Sequence, residues 1–119
     1  MSRLTMVIKM NVSILGTEYT IIFDVDEELM PEDADGCMDQ SVHQIKIAKF
    51  KSERNSLQNL EEYKKKVLRH EIIHAFLYES GLWNNSGYSC SWGQDETITD
   101  WIAIQSPKLF KAFKEADAL

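Results

Sequence analysis

Residues 59–81 read NLEEYKKKVLRHEIIHAFLYESG, and the reading of this stretch decides the fold. Asn59 stands three residues before Glu62, the spacing of a capping box in which each side chain satisfies the other's backbone N–H. A helix is predicted from that point through Leu60, Val67, Ile72, Ile73, Phe76 and Leu77 to Ser80. Gly81 supplies the left-handed residue that ends it. The second half of this helix is apolar on nearly every side, which predicts burial in a core rather than on a surface. His70, Glu71 and His74 stand in that buried half. Such residues are costly in an apolar setting unless something pairs with them.

The two histidines are four apart, so they project from one helix face on successive turns about 6 Å apart along the axis. That spacing suits a single zinc ion, which binds histidine nitrogen and, in catalytic sites, takes three protein ligands and leaves a fourth position to water. Glu71 is placed to take a proton from that water, which makes it a nucleophile for an amide carbonyl. The third ligand must come from elsewhere. An extended motif continuing through a glycine to a third histidine would need them where Leu77 and Ser80 stand. His43, on an upstream strand, reads as a packed or surface residue that could touch substrate, and Cys90 as a loop thiol. Glu96 is the stronger candidate, at the start of the next helix, with Asp100 one turn later on the same face. One carboxylate could bind the metal while the other accepts the free N–H of a motif histidine.

Outward from this helix, Thr5 to Ile14 alternates apolar and polar residues, and Tyr19 to Val25 is rich in β-branched and aromatic ones. The two read as a hairpin joined at Leu15 to Glu18. A third strand fits His43 to Phe50 and is expected to present an edge above the metal. Between the second and third strands, Asp24 to Asp39 holds eight acidic residues and no Lys or Arg. It fails the ligand pattern of a calcium loop and reads as a solvated loop with some leaning toward basic substrates. Ser52 to Gln58 reads as a polar connection, and Leu82 to Gln94, with Trp83, Tyr88 and Trp92, as a long loop. Asp95 or Gln94 caps a helix running to Gln105. Ser106–Pro107 is expected to open a last helix with Leu109, Phe110 and Phe113 on its inner face. The expectation is an α+β fold: a small, mainly antiparallel sheet of about three strands on the motif helix, then a glutamate-bearing helix and a C-terminal helix.

The 119 residues, 44% of them hydrophobic, are enough for one core, so residues 1–119 are expected to form a single domain. A net charge of −6 argues against a nucleic-acid surface, and the only basic cluster, Lys64 to Lys66, reads as a solvated helix face. No continuous apolar run suits a signal peptide or a membrane span, so the expected location is cytoplasmic. Two cysteines, Cys37 and Cys90, are too few for a disulfide framework, and free thiols are expected.

HEIIH followed by Glu96-Thr97-Ile98-Thr99-Asp100 resembles the gluzincin group of metallopeptidases. The compact layout over Ile45 to Phe113 is similar to short phage- and prophage-encoded metallopeptidase-like proteins and to the peptidase domain of the immunity-repressor-cleaving family. The resemblance implies a minimal zincin in which His70, His74 and Glu96 bind Zn2+, Glu71 is the general base and Asp100 holds a motif histidine. It implies a peptide or protein substrate. Thermolysin-like enzymes place the transition-state stabiliser in a larger second domain, so Tyr88 is the candidate substitute and His43 the second. The competing expectation is a non-catalytic, zinc-containing phage module that binds another protein.

Overall fold

The computed structural model describes residues 8–50, 59–85 and 92–119. Strands β1 (Lys9–Ile14) and β2 (Thr17–Val25) form the expected antiparallel hairpin, with Val12 opposite Tyr19 and Met10 opposite Ile21. Their connection is shorter than expected. Leu15 and Gly16 alone make the turn, both at positive φ (49° and 89°), the conformation whose twist matches two right-twisted strands. Thr5 to Val7 and Ser52 to Gln58 lie outside the described residues.

The acidic stretch is not all loop. It holds a 3-10 turn at Glu27–Leu29 and strand β3 (Gly36–Asp39). A four-residue segment with glycine at one end and aspartate at the other carries little strand propensity of its own. Pairing supplies what propensity lacks, because β3 runs antiparallel to β4 (Gln44–Ala48), with Met38 opposite Ile45. β4 in turn lies parallel to β2, giving the order β1-β2-β4-β3. The sheet is therefore mixed and four-stranded. β4 has a neighbour on each side, so the third strand of the sequence reading is not an edge; the edge beside the motif helix is β3. One extra β2 residue between Ile22 and Val25 makes a bulge, where Asp24 takes a φ of 55°.

One sheet face is the core. Ile14, Tyr19, Ile21, Ile45 and Ile47 are buried there against Val67 and Ala75 of helix α1 (Leu60–Glu79). Each buried aliphatic side chain contributes about 1.5–3 kcal/mol. Helix α1 begins and ends as its sequence predicts: the Asn59 side chain accepts the Glu62 N–H at 3.1 Å, and Gly81 follows at φ 91°. Thr17 and the Tyr19 hydroxyl donate to Glu79 at 2.9 and 2.7 Å, tying the end of α1 to the hairpin. The helix is one-sided rather than buried all round. Val67, Glu71, His74 and Ala75 face inward, while Phe76 is 42% exposed, because the sheet covers only one face.

Short helix α2 (Leu82–Asn85) and a 3-10 turn at Trp92–Gln94 lie in what reads as a loop. Helix α3 (Glu96–Glu115) is capped by Asp95, whose carboxylate accepts the N–H groups of Thr97 and Ile98 at 2.7 and 3.1 Å. It runs unbroken through Pro107, so the two helices expected on either side of Ser106 are one. Proline has no N–H to give the carbonyl four residues back. That carbonyl, of Ala103, accepts instead from Arg69 Nε of α1 at 2.6 Å. The second half of α3 thus continues the same helix, and Leu109, Phe110 and Phe113 are 36%, 56% and 41% exposed rather than on an inner face. No described helix is long and apolar enough to cross a membrane.

Candidate metal centre

Helix α1 presents His70 and His74 on its inner flank, and the first turn of α3 brings Glu96 across to them. His70 Nε2 lies 2.7 Å from Glu96 Oε1, His74 Nε2 lies 2.9 Å from the same oxygen, and the two nitrogens are 3.1 Å apart. These three residues form a group that could hold a metal ion. A circle through a triangle with those edges has a radius of about 1.7 Å, shorter than the metal–ligand lengths of roughly 2.0–2.2 Å expected for such donors. A point at bonding distance from all three therefore exists to one side of their plane.

The protons point the same way. His70 Nδ1 is 3.1 Å from Asp100 Oδ1, and a carboxylate only accepts, so that nitrogen carries the hydrogen. In neutral His70, Nε2 is then a bare lone pair facing the lone pairs of Glu96. Whichever tautomer His74 takes, the 2.7 Å contact is unfavourable without a cation. A metal ion held by all three atoms would relieve every pair at once.

Asp100 Oδ1 also accepts from Lys66 Nζ at 3.1 Å. Burial pushes the Asp100 carboxyl up, but hydrogen bonds from Lys66 and His70, with their charges, outweigh it and hold the group below its ordinary range. Glu96 follows the same balance, its burial outweighed by His74 and His70. Burial, assisted by the charge of His70, lowers His74 despite the attraction of Glu96, which keeps its lone pair available. Among the described residues, His74 has no counterpart of the Asp100 that orients His70. Its Nδ1 is buried with no hydrogen bond among the described residues, and its ring is held by an edge-on contact with Trp83, centroids 5.6 Å apart.

Glu71 is 7% exposed and its carboxyl is pushed up to about 7, chiefly by burial; the charge of His70 works against the rise and that of Glu96 with it. It faces an open pocket of about 240 Å³ that also reaches His70, Glu96, Lys66, Tyr63 and Asp35. The roof over Glu71 is Gly36. A methyl group there would meet Val67 Cγ1 at 2.8 Å and Glu71 Cγ at 3.0 Å, so only glycine lets β3 approach this closely.

The structure thus brings together His70, Glu71, His74, Glu96 and Asp100 from the sequence reading. It places His43 elsewhere, exposed in the β3–β4 turn with its ring 5.2 Å from that of Tyr19. Tyr88 and Cys90 lie outside the described residues, and Cys37 is a free thiol. Asp35, Gly36, Tyr63 and Lys66 went unread as site residues. Lys66 and Tyr63 were legible in principle, standing four and seven residues before His70 and hence on its helix face. Asp35 and Gly36 had no local signal. Against known proteins, the chain matches no family model, no curated protein and no solved structure.

Proposed function

We propose that the protein is a zinc-dependent peptidase of the gluzincin kind, with His70, His74 and Glu96 as metal ligands and Glu71 as general base. The observation that carries the reading is the convergence of two imidazole nitrogens and one carboxylate oxygen beside a buried carboxyl raised to about 7. A site built only to brace the fold is normally closed by four protein ligands and has no use for such a group. When bound, the ion supplies a Lewis acid that acidifies water and polarises a carbonyl. Glu71 takes the proton of the attacking water and returns it to the leaving amine, work best done by a group whose pKa lies near the operating pH. Asp100, itself held by Lys66, keeps the His70 proton on Nδ1 so that Nε2 can donate.

β3 is an edge of the sheet among the described residues, and such an edge suits an extended substrate. Because Ala48 N–H donates to Asp35 C=O at 2.9 Å, alternation turns the amides of Gly36 and Met38 away from β4. A peptide added there as a fifth strand would lie along the roof of the pocket.

The test is metal analysis followed by cleavage of a peptide library. The expected outcome is one equivalent of zinc in the wild type and in Glu71→Gln, with turnover in the variant reduced about 10²- to 10⁴-fold. Stoichiometric zinc with no cleavage of any peptide would refute the peptidase reading and favour a non-catalytic protein-binding module.

A further inference from the structure

The pocket beside the metal centre runs past Lys66 to a far wall made by Asp35 and Tyr63. The charges along it are not balanced. Lys66 Nζ is matched by Asp100 at 3.1 Å and lies 5.2 Å from the Tyr63 ring centroid. Asp35 accepts a hydrogen bond from the Tyr63 hydroxyl but forms no ion pair among the described residues. Among the described residues, one negative charge therefore lines this pocket without a cationic partner.

Independently, Asp35 belongs to the segment Asp24 to Asp39, which has eight acidic residues and no basic one. Of these eight, Asp24 alone forms an ion pair among the described residues, with Lys64 at 3.7 Å. Asp35 is the member of this acidic segment that lines the pocket, and a negative charge there attracts cations.

A long cationic side chain suits the run of the pocket along α1. Tyr63 and His70 are seven residues apart on α1, about 10.5 Å along its axis. From a carbonyl carbon at the histidines, a lysine or arginine side chain plus a charge-assisted hydrogen bond spans on the order of 10–11 Å. A basic side chain is attracted by Asp35, and an acidic one is repelled by it.

We propose that the Asp35–Tyr63 end of the pocket is a subsite for a lysine or arginine side chain flanking the scissile bond, so that the substrate is a basic polypeptide segment. The proposal rests on the peptidase reading, and two measurements separate them. In the first, zinc-loaded protein is offered peptides that differ only in carrying Lys, Arg, norleucine or Glu beside the cleaved bond. The basic peptides are expected to show kcat/KM about tenfold above the norleucine peptide; Asp35→Asn should bring that ratio close to one, and Asp35→Lys should turn the preference toward Glu. In the second, a labelled basic peptide is titrated into zinc-loaded Glu71→Gln and followed by fluorescence anisotropy. Its affinity should fall about tenfold on adding Asp35→Asn and should weaken with salt, as binding led by charge does.

Cleavage without a charge preference, or a preference that survives Asp35→Asn, overturns the subsite and leaves the peptidase standing. Binding that depends on Asp35 without cleavage of any peptide by the wild type overturns the peptidase and keeps a basic-peptide site. Neither cleavage nor binding overturns both.

Discussion

Replacing Gly36 with alanine tests the close passage of β3 over α1. The added Cβ would stand 2.8 Å from Val67 Cγ1, 3.0 Å from Glu71 Cγ and 3.2 Å from Glu71 Oε2. Carbon atoms are comfortable at about 3.5–4.0 Å, so strand and helix must part by roughly 0.7 Å or more. Overpacking of this size costs about 1–3 kcal/mol. Alanine also restricts the unfolded chain, offsetting about 0.4–1 kcal/mol. A net loss of about 1–2 kcal/mol is expected, which for a chain of this length lowers Tm by roughly 4–10 °C.

Urea denaturation measures that loss directly, and Val67→Ala identifies its source. Trimming Val67 alone leaves a hole and destabilises the protein; in Gly36→Ala it also makes room for the new methyl group. The double variant should therefore be more stable than the sum of the two single changes implies, by about 0.5–1.5 kcal/mol of coupling. Because Glu71 is the second atom group displaced, turnover should fall more than stability alone explains. Strict additivity of the two substitutions, or an unchanged midpoint in Gly36→Ala, would refute the packing of β3 on Val67 and Glu71.

Two further predictions concern the joints around the site. Burial, then the hydrogen bond and charge of Glu79, raise the Tyr19 hydroxyl above its ordinary pKa of 10.0. A raised pKa means the folded protein holds the proton more tightly. The stabilisation is thus complete below pH 10 and is lost as pH climbs from there toward the folded value. Tyr19→Phe should cost about 1.5–3 kcal/mol at neutral pH, where the acceptor is a carboxylate, and should flatten the fall of stability above pH 10; an alkaline slope equal to that of the wild type would count against the Tyr19–Glu79 joint. Arg69→Met should strip the Ala103 carbonyl of its donor at a cost of about 1–3 kcal/mol and increase amide exchange in α3 beyond Ala103. Adding Pro107→Ala should restore most of that loss, since alanine regains the N–H that Ala103 lacks; a double variant no more stable than Arg69→Met would refute Arg69 as the reason α3 tolerates its proline.

The elements legible in the sequence are those whose signal is local. Asn59 and Gly81 bracket α1 because capping is decided within four residues, and the β1–β2 hairpin shows in alternation across one turn. Glu96 and Asp100 were readable as a pair because four residues is one helical turn. What escaped depends on partners distant in the chain. β3 exists because β4 and α1 lie beside it, and nothing between Asp24 and Asp39 announces a strand. Pro107 looks like a helix start from its neighbours; it sits inside a helix because Arg69, 38 residues earlier, reaches the orphaned carbonyl. The parallel pairing of β2 with β4 is likewise invisible to alternation, which has period two whichever way a neighbour runs.

The core face of α1 also explains why the site sits where it does. Val67, Glu71, His74 and Ala75 occupy one line of that face, so the chain gives two of its buried positions to ionisable side chains. Two aliphatic residues there would contribute about 1.5–3 kcal/mol each. Glu71 instead resists ionisation at a buried position, and His74 Nδ1 is buried without a hydrogen bond among the described residues. Fold stability gives no reason for that arrangement. A cation bound by the folded chain and not by the unfolded one does, since its binding free energy adds to that of folding. The same burial that makes the positions costly holds His74 neutral and brings Glu71 near pH 7. The cost of these positions in the fold and the chemistry they could offer a metal ion have one source, ionisable groups set against the sheet.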